Sequence, residues 1–153
     1  MSASGPLIVA YDGSTDADAA IDAVPRLLTG PRAVVISVWE SAAPLVSGSL
    51  IAIPAAVAQK ACENLDRESE RQATLLAEQG AERLRERGVE ATASAVRSSG
   101  NTWSTIVKRA EQEDAAAVVL GSRGRSPVAS ALLGSVSAGV VHHGGRPVLV
   151  VHG

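Results

Sequence analysis

Short apolar runs alternate with longer amphipathic stretches along the whole chain. Residues 7–11 (LIVAY), 33–38 (AVVISV), 115–120 (AAAVVL) and 147–151 (PVLVV) are near-continuously apolar and bounded by turn residues. Such runs read as strands buried on both faces. A fifth run, 89–96 (VEATASAV), is mixed enough to place a strand near a sheet edge. Between them lie helical patterns. After the turn Asp12-Gly13-Ser14, either Ser14 or Thr15 can cap a helix whose first turn holds Asp16 and Asp18, where acids complement the helix dipole. Ala19, Ala20, Ala23, Val24, Leu27 and Leu28 form its apolar face, and Pro25 should kink it or end it early. A long helix is expected over 59–87, with a stop at Gly88 and a weak point at Gly80. Its interleaved Glu and Arg should form a solvated face with i,i+4 pairs. Further helices are expected over 102–113, after the turn Ser99-Gly100-Asn101, and over 136–143, stopped by Gly144-Gly145. Residues 41–58 carry Pro, Gly and Ser among many apolar residues. They read as an irregular connection that could act as a lid or a partner surface.

The order βαβαβαβαβ implies an α/β fold with an open parallel sheet covered by helices on both faces. No internal repeat or composition shift interrupts it, so residues 1–153 are expected to form one domain.

Composition narrows the function. Hydrophobic residues make up 46% and charged residues 20% of the chain, which is a globular balance. The aromatic residues are Tyr11, Trp39 and Trp103, with no Phe. The core must therefore be Ala, Val, Leu and Ile, and stacking platforms for single-stranded nucleic acid are scarce. The net charge of −2 argues against a duplex-binding face, so no nucleic-acid partner is expected. Cys62 is the sole cysteine, which leaves no intrachain disulfide and no multi-Cys zinc site; it is expected to be inert or partly buried. His142 and His143 are adjacent and diverge around a helix, so no joint metal site is expected there. Trp103 should pack the third helix. Trp39 could cover a crevice or anchor the surface. The start of the chain lacks the pattern of a signal peptide, and 44–58 is too short and too proline-rich to span a membrane. A cytoplasmic protein without a membrane partner is the expectation.

Chemistry concentrates at two strand ends. In an open parallel sheet, ligands bind beyond the carboxyl ends of the strands, where strand order reverses. The first strand ends in Tyr11-Asp12-Gly13-Ser14 and the fourth in Gly121-Ser122-Arg123-Gly124. If these strands are neighbours, a carboxylate faces a glycine-rich loop. Gly121 and Gly124 would let the backbone approach a ligand and adopt positive φ. Ser135 can cap the last helix, leaving the N–H groups of Val136 and Ser137 aimed outward as an anion site. Arg123 and Arg125 add positive charge, and Ser135 and Ser137 add hydroxyl donors. Together these features point to a polyphosphate.

The segment resembles the nucleotide-binding branch of the universal stress protein family. That family's signature is G-x2-G-x9-G-[ST], which Gly121, Gly124, Gly134 and Ser135 fill with the spacing intact. The flanking runs AVVL, LLGSVS and PVLVV and the first run IVAYDGS are similar too. The resemblance implies a five-stranded sheet of order 3-2-1-4-5, with ATP bound at the crevice between the first and fourth strands. It implies that Ala10 and Tyr11 line the base side and that Asp12, with Gly13 beside it, meets the adenosine portion. Val38 would meet adenine through its backbone. Gly121, Ser122, Arg123 and Gly124 would line the ribose and phosphates, and Gly134, Ser135, Val136 and Ser137 would hold the phosphate chain. Mg²⁺ could accompany the phosphates on Asp12 and Ser137, although one carboxylate is a thin site. A homodimer through the last strand, 147–151, is also implied.

Catalysis is less well provided for. A Walker A sequence, G-x4-G-K-[ST], is absent and no Gly-Lys pair occurs. No kinase set is present, and Ser135-Val136-Ser137-Ala138-Gly139 lacks the first glycine of a serine-hydrolase elbow. No catalytic residue is assigned. The expected function is a regulatory, stress-adaptation module that binds ATP with slow or no hydrolysis. A slow ATPase or a phosphoryl or adenylyl transferase is the alternative. A protein-interaction dimer with a vestigial pocket is the second.

Overall fold

The computed structural model describes residues 5–27, 32–48, 52–125 and 133–153. Five parallel strands form one sheet: β1 (Leu7–Ala10), β2 (Ala33–Trp39), β3 (Ala91–Arg97), β4 (Ala117–Gly121) and β5 (Val148–Val151), in the order β3-β2-β1-β4-β5. The helices are α1 (Thr15–Leu27), α2 (Ala43–Ser47), α3 (Ala55–Arg85), α4 (Thr102–Gln112) and α5 (Ser135–His143). The expected order holds, and β3 is an edge strand. The switch point falls between β1, paired with β2 through Leu7–Ala33, and β4, paired through Leu7–Ala117.

Strand residues alternate between two cores. Leu7, Val9, Val35 and Val119 pack under α1 and α3 with Ala17, Ala20, Ile21, Val24, Ala81 and Leu84. Ile8, Ile36, Val118 and Leu120 pack under α4 and α5 with Ile106, Val107, Ala110 and Val140. Both layers are aliphatic apart from Tyr11 in the first and Trp103, half-buried, at the side of the second. Trp103 packs α4 against α5, its ring stacked on that of His143 with centroids 4.5 Å apart.

Two local expectations change and one is met. Helix α1 includes Pro25 in its last turn and ends two residues later at Leu27, as a residue without a ladder N–H favours. Leu28 lies outside the described residues. Segment 41–58 is not one irregular connection: 43–47 form α2, and α3 begins at Ala55, four residues before the expected start. Asp66 on α3 docks α2 by accepting the Ala42 N–H at 2.6 Å and the Ser41 hydroxyl at 2.8 Å. Residues 49–51 of this segment lie outside the described residues. Gly80 is not merely a weak point in α3. A Cβ there would stand 3.0 Å from Val35 Cγ1 and 3.1 Å from Tyr11 Cγ, so its missing side chain is what brings the helix onto the sheet.

Only the C-terminal part of α3 lies on that core, through Ala73, Ala77, Gly80, Ala81 and Leu84. Arg83 pairs with Asp18 and Asp22 on α1, and Arg87, just past the end of α3, reaches Asp22 at 2.7 Å. The outer face of α3 is solvated as expected, but its close-spaced ion pairs among the described residues are i,i+3, Arg71 with Glu68 and Arg85 with Glu82, rather than the expected i,i+4. Cys62 is half-buried and free. Among the described residues, no helix is long and apolar enough to cross a membrane.

Candidate functional site

The two singled-out strand ends open into one cavity of about 360 Å³, within the size range of small-ligand sites. Its wall contains Ala10, Tyr11, Asp12, Val38, Gly121, Ser122, Arg123, Gly124, Gly134, Ser135, Val136 and Ser137. Twelve of the thirteen residues singled out for ligand contact therefore converge. Gly13 does not line it. Its φ is +77°, the left-handed turn that ends the β1 run. Segment 126–132 of the loop lies outside the described residues.

Several side chains play roles different from those expected. Tyr11 follows the alternation of β1 onto the α1/α3 face. Its ring is 3% exposed and its hydroxyl donates to Asp18 Oδ1 at 2.7 Å, so the ring is turned away from the cavity. Burial pushes the Tyr11 phenol up from its ordinary range, and the Asp18 acceptor adds to this. Asp12, two residues after Ala10, falls on the cavity side. Its Oδ1 accepts the Ser14 N–H at 2.9 Å as an Asx turn. Its Oδ2 faces Gly124, where a Cβ would sit 3.0 Å away. The turn thus uses one oxygen and leaves the other toward the cavity.

The loop glycines work otherwise than expected. Neither Gly121 nor Gly124 adopts positive φ. A Cβ on Gly121 would meet the Asp16 carbonyl carbon at 2.7 Å and the Ala17 nitrogen at 2.8 Å. Glycine is needed there to seat the start of α1 against the end of β4, not to admit a ligand. At Gly124 the missing side chain does open space in front of Asp12.

The N-terminus of α5 is also rearranged. The cap is Gly134, extended at φ −71° and ψ 164° and without a side-chain bond, and Ser135 is the first helical residue. The helix ladder begins with the Ala138 N–H to the Gly134 carbonyl at 2.9 Å. The N–H groups of Ser135, Val136 and Ser137 precede that ladder, as the first amides of any helix do. They give the cavity an anion-favouring wall. The Ser137 hydroxyl is not part of it. It is 2% exposed and donates to the Ser122 carbonyl at 2.6 Å, with the Gly134 carbonyl at 3.0 Å. The expected Mg²⁺ pair of Asp12 and Ser137 therefore does not fit, because the serine oxygen is committed inward.

Ser122 is the hub of this corner. Its N–H donates to the Val151 carbonyl at 2.7 Å, and its carbonyl accepts the Gly134 N–H at 2.7 Å. Its hydroxyl donates to Asp16 Oδ2 at 2.5 Å. His152 Nδ1 lies 2.9 Å from the same hydroxyl. That hydroxyl's proton is committed to Asp16, and Arg123 Nη2, which can only donate, lies 3.3 Å from His152 Nε2. The network therefore assigns the imidazole proton to Nδ1. This is not the wiring of a catalytic triad, where the imidazole stands between serine and acid. Here the serine stands between the other two.

Asp16 and His152 were not recognised as site residues in the sequence. Asp16 looked like an ordinary first-turn acid. Instead it is 7% exposed and accepts the Ser122 hydroxyl, the Arg123 N–H at 3.0 Å and the Gly153 N–H at 3.2 Å. The Ser122 bond above all holds its carboxyl below the usual carboxylate range, against the opposing effect of burial. Thr102 and Ile106 of α4, with Ile36 and Leu120, complete the apolar wall. None of the described residues of 41–58 lines the cavity. Nor does Trp39, which lies beneath the Arg97 guanidinium at 5.6 Å from its ring centre. Among the described residues, no three His, Cys, Asp or Glu side chains gather as a metal-binding group.

The chain is 27% identical over 145 residues to the universal stress protein YxiE of Bacillus subtilis (strain 168), covering 95% of this chain and 97% of that one. Its fold resembles that of the Archaeoglobus fulgidus universal stress protein in complex with dAMP (TM-score 0.66, 21% identity, 96% of this chain and 97% of that one). It also resembles a universal stress protein family member from Arabidopsis thaliana with AMP bound (TM-score 0.64, 21% identity, 97% and 91%). At these identities the structural likeness concerns the fold alone. The family match itself spans residues 5–152, nearly the whole chain, and the chain belongs to the universal stress protein family.

Proposed function

We propose that the chain is a regulatory module that binds an adenine nucleotide, ATP, at the β1/β4 switch point, with slow or no hydrolysis. The observation that carries this reading is the single cavity joining an aliphatic wall to the open N-terminus of α5. Ala10, Ile36, Val38, Ile106 and Leu120 supply a surface suited to a base. The first amides of α5 supply donors suited to phosphate, and Asp12 Oδ2 supplies an acceptor for adenosine hydroxyl or amino groups. The relatives crystallised with dAMP and AMP support the same ligand class. Magnesium, where present, would arrive on the phosphates.

Asp12 is the one carboxylate among the described residues of the cavity wall. With its Oδ1 engaged by the Ser14 N–H, it offers a binding group more readily than a general base and metal clamp for phosphoryl transfer. Isothermal titration of nucleotide-free protein with ATP and AMP tests the reading. Absence of binding at millimolar nucleotide overturns it. Turnover above roughly 1 s⁻¹, inside the ordinary enzyme range, would favour a catalytic function instead.

The reading extends to a cytoplasmic homodimer formed through 147–151. Strand β5 ends the sheet, and its four residues are half-buried. An open sheet edge is a template for pairing. Sedimentation across a concentration series should show a dimer; a monomer throughout removes this part.

A further inference from the structure

Arg123 lines the cavity, yet its guanidinium is turned toward Asp16 and His152. Its Nε stands 3.7 Å from Asp16 Oδ2, and its Nη2 stands 3.3 Å from His152 Nε2. Its own N–H also ends on Asp16 Oδ2, at 3.0 Å. One carboxylate therefore restrains both the backbone and the charged end of the same residue. The Asp16 side chain is only 9% exposed and that of Arg123 is 35% exposed. Water and salt screen such a pair less than an open surface pair.

The restraint extends further. Asp16 Oδ1 holds the Gly153 N–H, and Ser122 bridges Asp16 to His152. The last two residues of the chain thus close over the pair from one side, and the start of α1 closes it from the other.

We infer that Asp16 is a positioning residue that sets the charge preference of the cavity, withholding Arg123 from the ligand and so disfavouring each added phosphate. The inference rests on the nucleotide reading above. A guanidinium already paired with a carboxylate brings little net charge to a phosphate. The anion wall is then chiefly the N-terminus of α5, worth about half a unit of positive charge. That suits one phosphate group. Further phosphates bring negative charge toward Asp12 and Asp16, with Arg125 as the one other cation of the described wall to meet it. ATP still fits this site, but with less advantage over AMP than an unrestrained Arg123 would confer.

The test compares wild type, Asp16→Asn and the double variant Asp16→Asn/Arg123→Gln. Each is titrated calorimetrically with AMP and with ATP in metal-free buffer, and circular dichroism checks its fold. In Asp16→Asn the ratio of ATP to AMP affinity should rise about threefold or more, the scale of coupling between contacting groups. In the double variant the ratio should return toward the wild-type value. A merely structural role for Asp16 would lower both affinities together and leave the ratio unchanged, which overturns the inference. A raised ratio that persists without Arg123 also overturns it, because Asp16 would then act directly on the ligand. Should the amide disturb the start of α1, Asp16→Ser removes the same charge while keeping a hydroxyl acceptor. Wild type that binds neither nucleotide removes the cavity reading itself, and this inference with it.

Discussion

The Ser122 hydroxyl donates to Asp16 Oδ2 at 2.5 Å, joining residues 106 positions apart in the chain. The bond ties the first turn of α1 to the loop that leaves β4. It also holds the Asp16 carboxyl below the usual carboxylate range, with the Gly153 and Arg123 N–H groups and His152 adding to the effect. A carboxyl with a depressed folded-state value binds fewer protons folded than unfolded. Its contribution to stability is therefore complete above the unfolded value of 3.8 and is lost as pH falls from there through the lower folded value. Thermal melting followed from about pH 5 down to about pH 2 should show wild type losing more stability than Asp16→Asn over that window. Parallel curves would show that Asp16 is not linked to folding.

Gly124→Glu should abolish nucleotide binding without unfolding the chain. A Cβ at 124 would lie 3.0 Å from Asp12 Oδ2. A second carboxylate there fills the cavity and repels both Asp12 and phosphate. Titration with ATP and AMP checks this, alongside a wild-type-like melting curve. Normal affinity in this variant would mean that the ligand sits elsewhere.

Gly121→Ala should be a stability variant. The new Cβ would meet main-chain atoms of Asp16 and Ala17 at 2.7–2.8 Å, which cannot swing aside as a side-chain end can. The start of α1 must move away from β4, at a cost of about 1–3 kcal/mol. Chemical denaturation measures it. An unchanged midpoint would mean that α1 is not seated there.

Ser137→Ala removes a buried hydroxyl and leaves the Ser122 carbonyl with the Gly134 N–H as its remaining partner. A loss of about 1 kcal/mol is expected for such a bond. Equilibrium denaturation should register that loss even without nucleotide. A variant as stable as wild type would mean that the hydroxyl is not an internal staple of the loop.

Much of the architecture was legible because it is written locally. A strand buried on both faces needs consecutive apolar residues, and a helix on its flank needs an apolar stripe, so alternating runs of 7–11, 33–38, 115–120 and 147–151 expose the βα order. The G-x2-G-x9-G-[ST] spacing marked the loop, and the ends of the first and fourth runs marked the crevice. The least legible part was 41–58, where among the described residues Leu45, Ile53 and Val57 face outward. Leu45 is 79% exposed, and α2 is held by Asp66 from a different helix, so hydrophobicity there does not report burial.

Within the site, residue identities were legible but side-chain directions were not. Whether Ser137 offers its hydroxyl to a phosphate or to the Ser122 carbonyl depends on where β4 ends relative to α5. Whether Tyr11 faces a base or Gly80 depends on how α3 crosses the sheet. Asp16 reads from its neighbours as a dipole-matched acid, and only the approach of Ser122, Arg123 and Gly153 gives it a different role. The sequence by itself determined the order of elements, the two aliphatic layers and the place of the cavity, because each follows from local periodicity and strand-end chemistry. Tertiary structure alone decided which polar groups face the cavity and which are consumed in holding it, because the bonds of Asp16 to Ser122 and Arg123 join residues that helix-on-sheet packing brings together across more than a hundred positions, and even the shorter Ser137–Ser122 bond needs β4 and α5 in place.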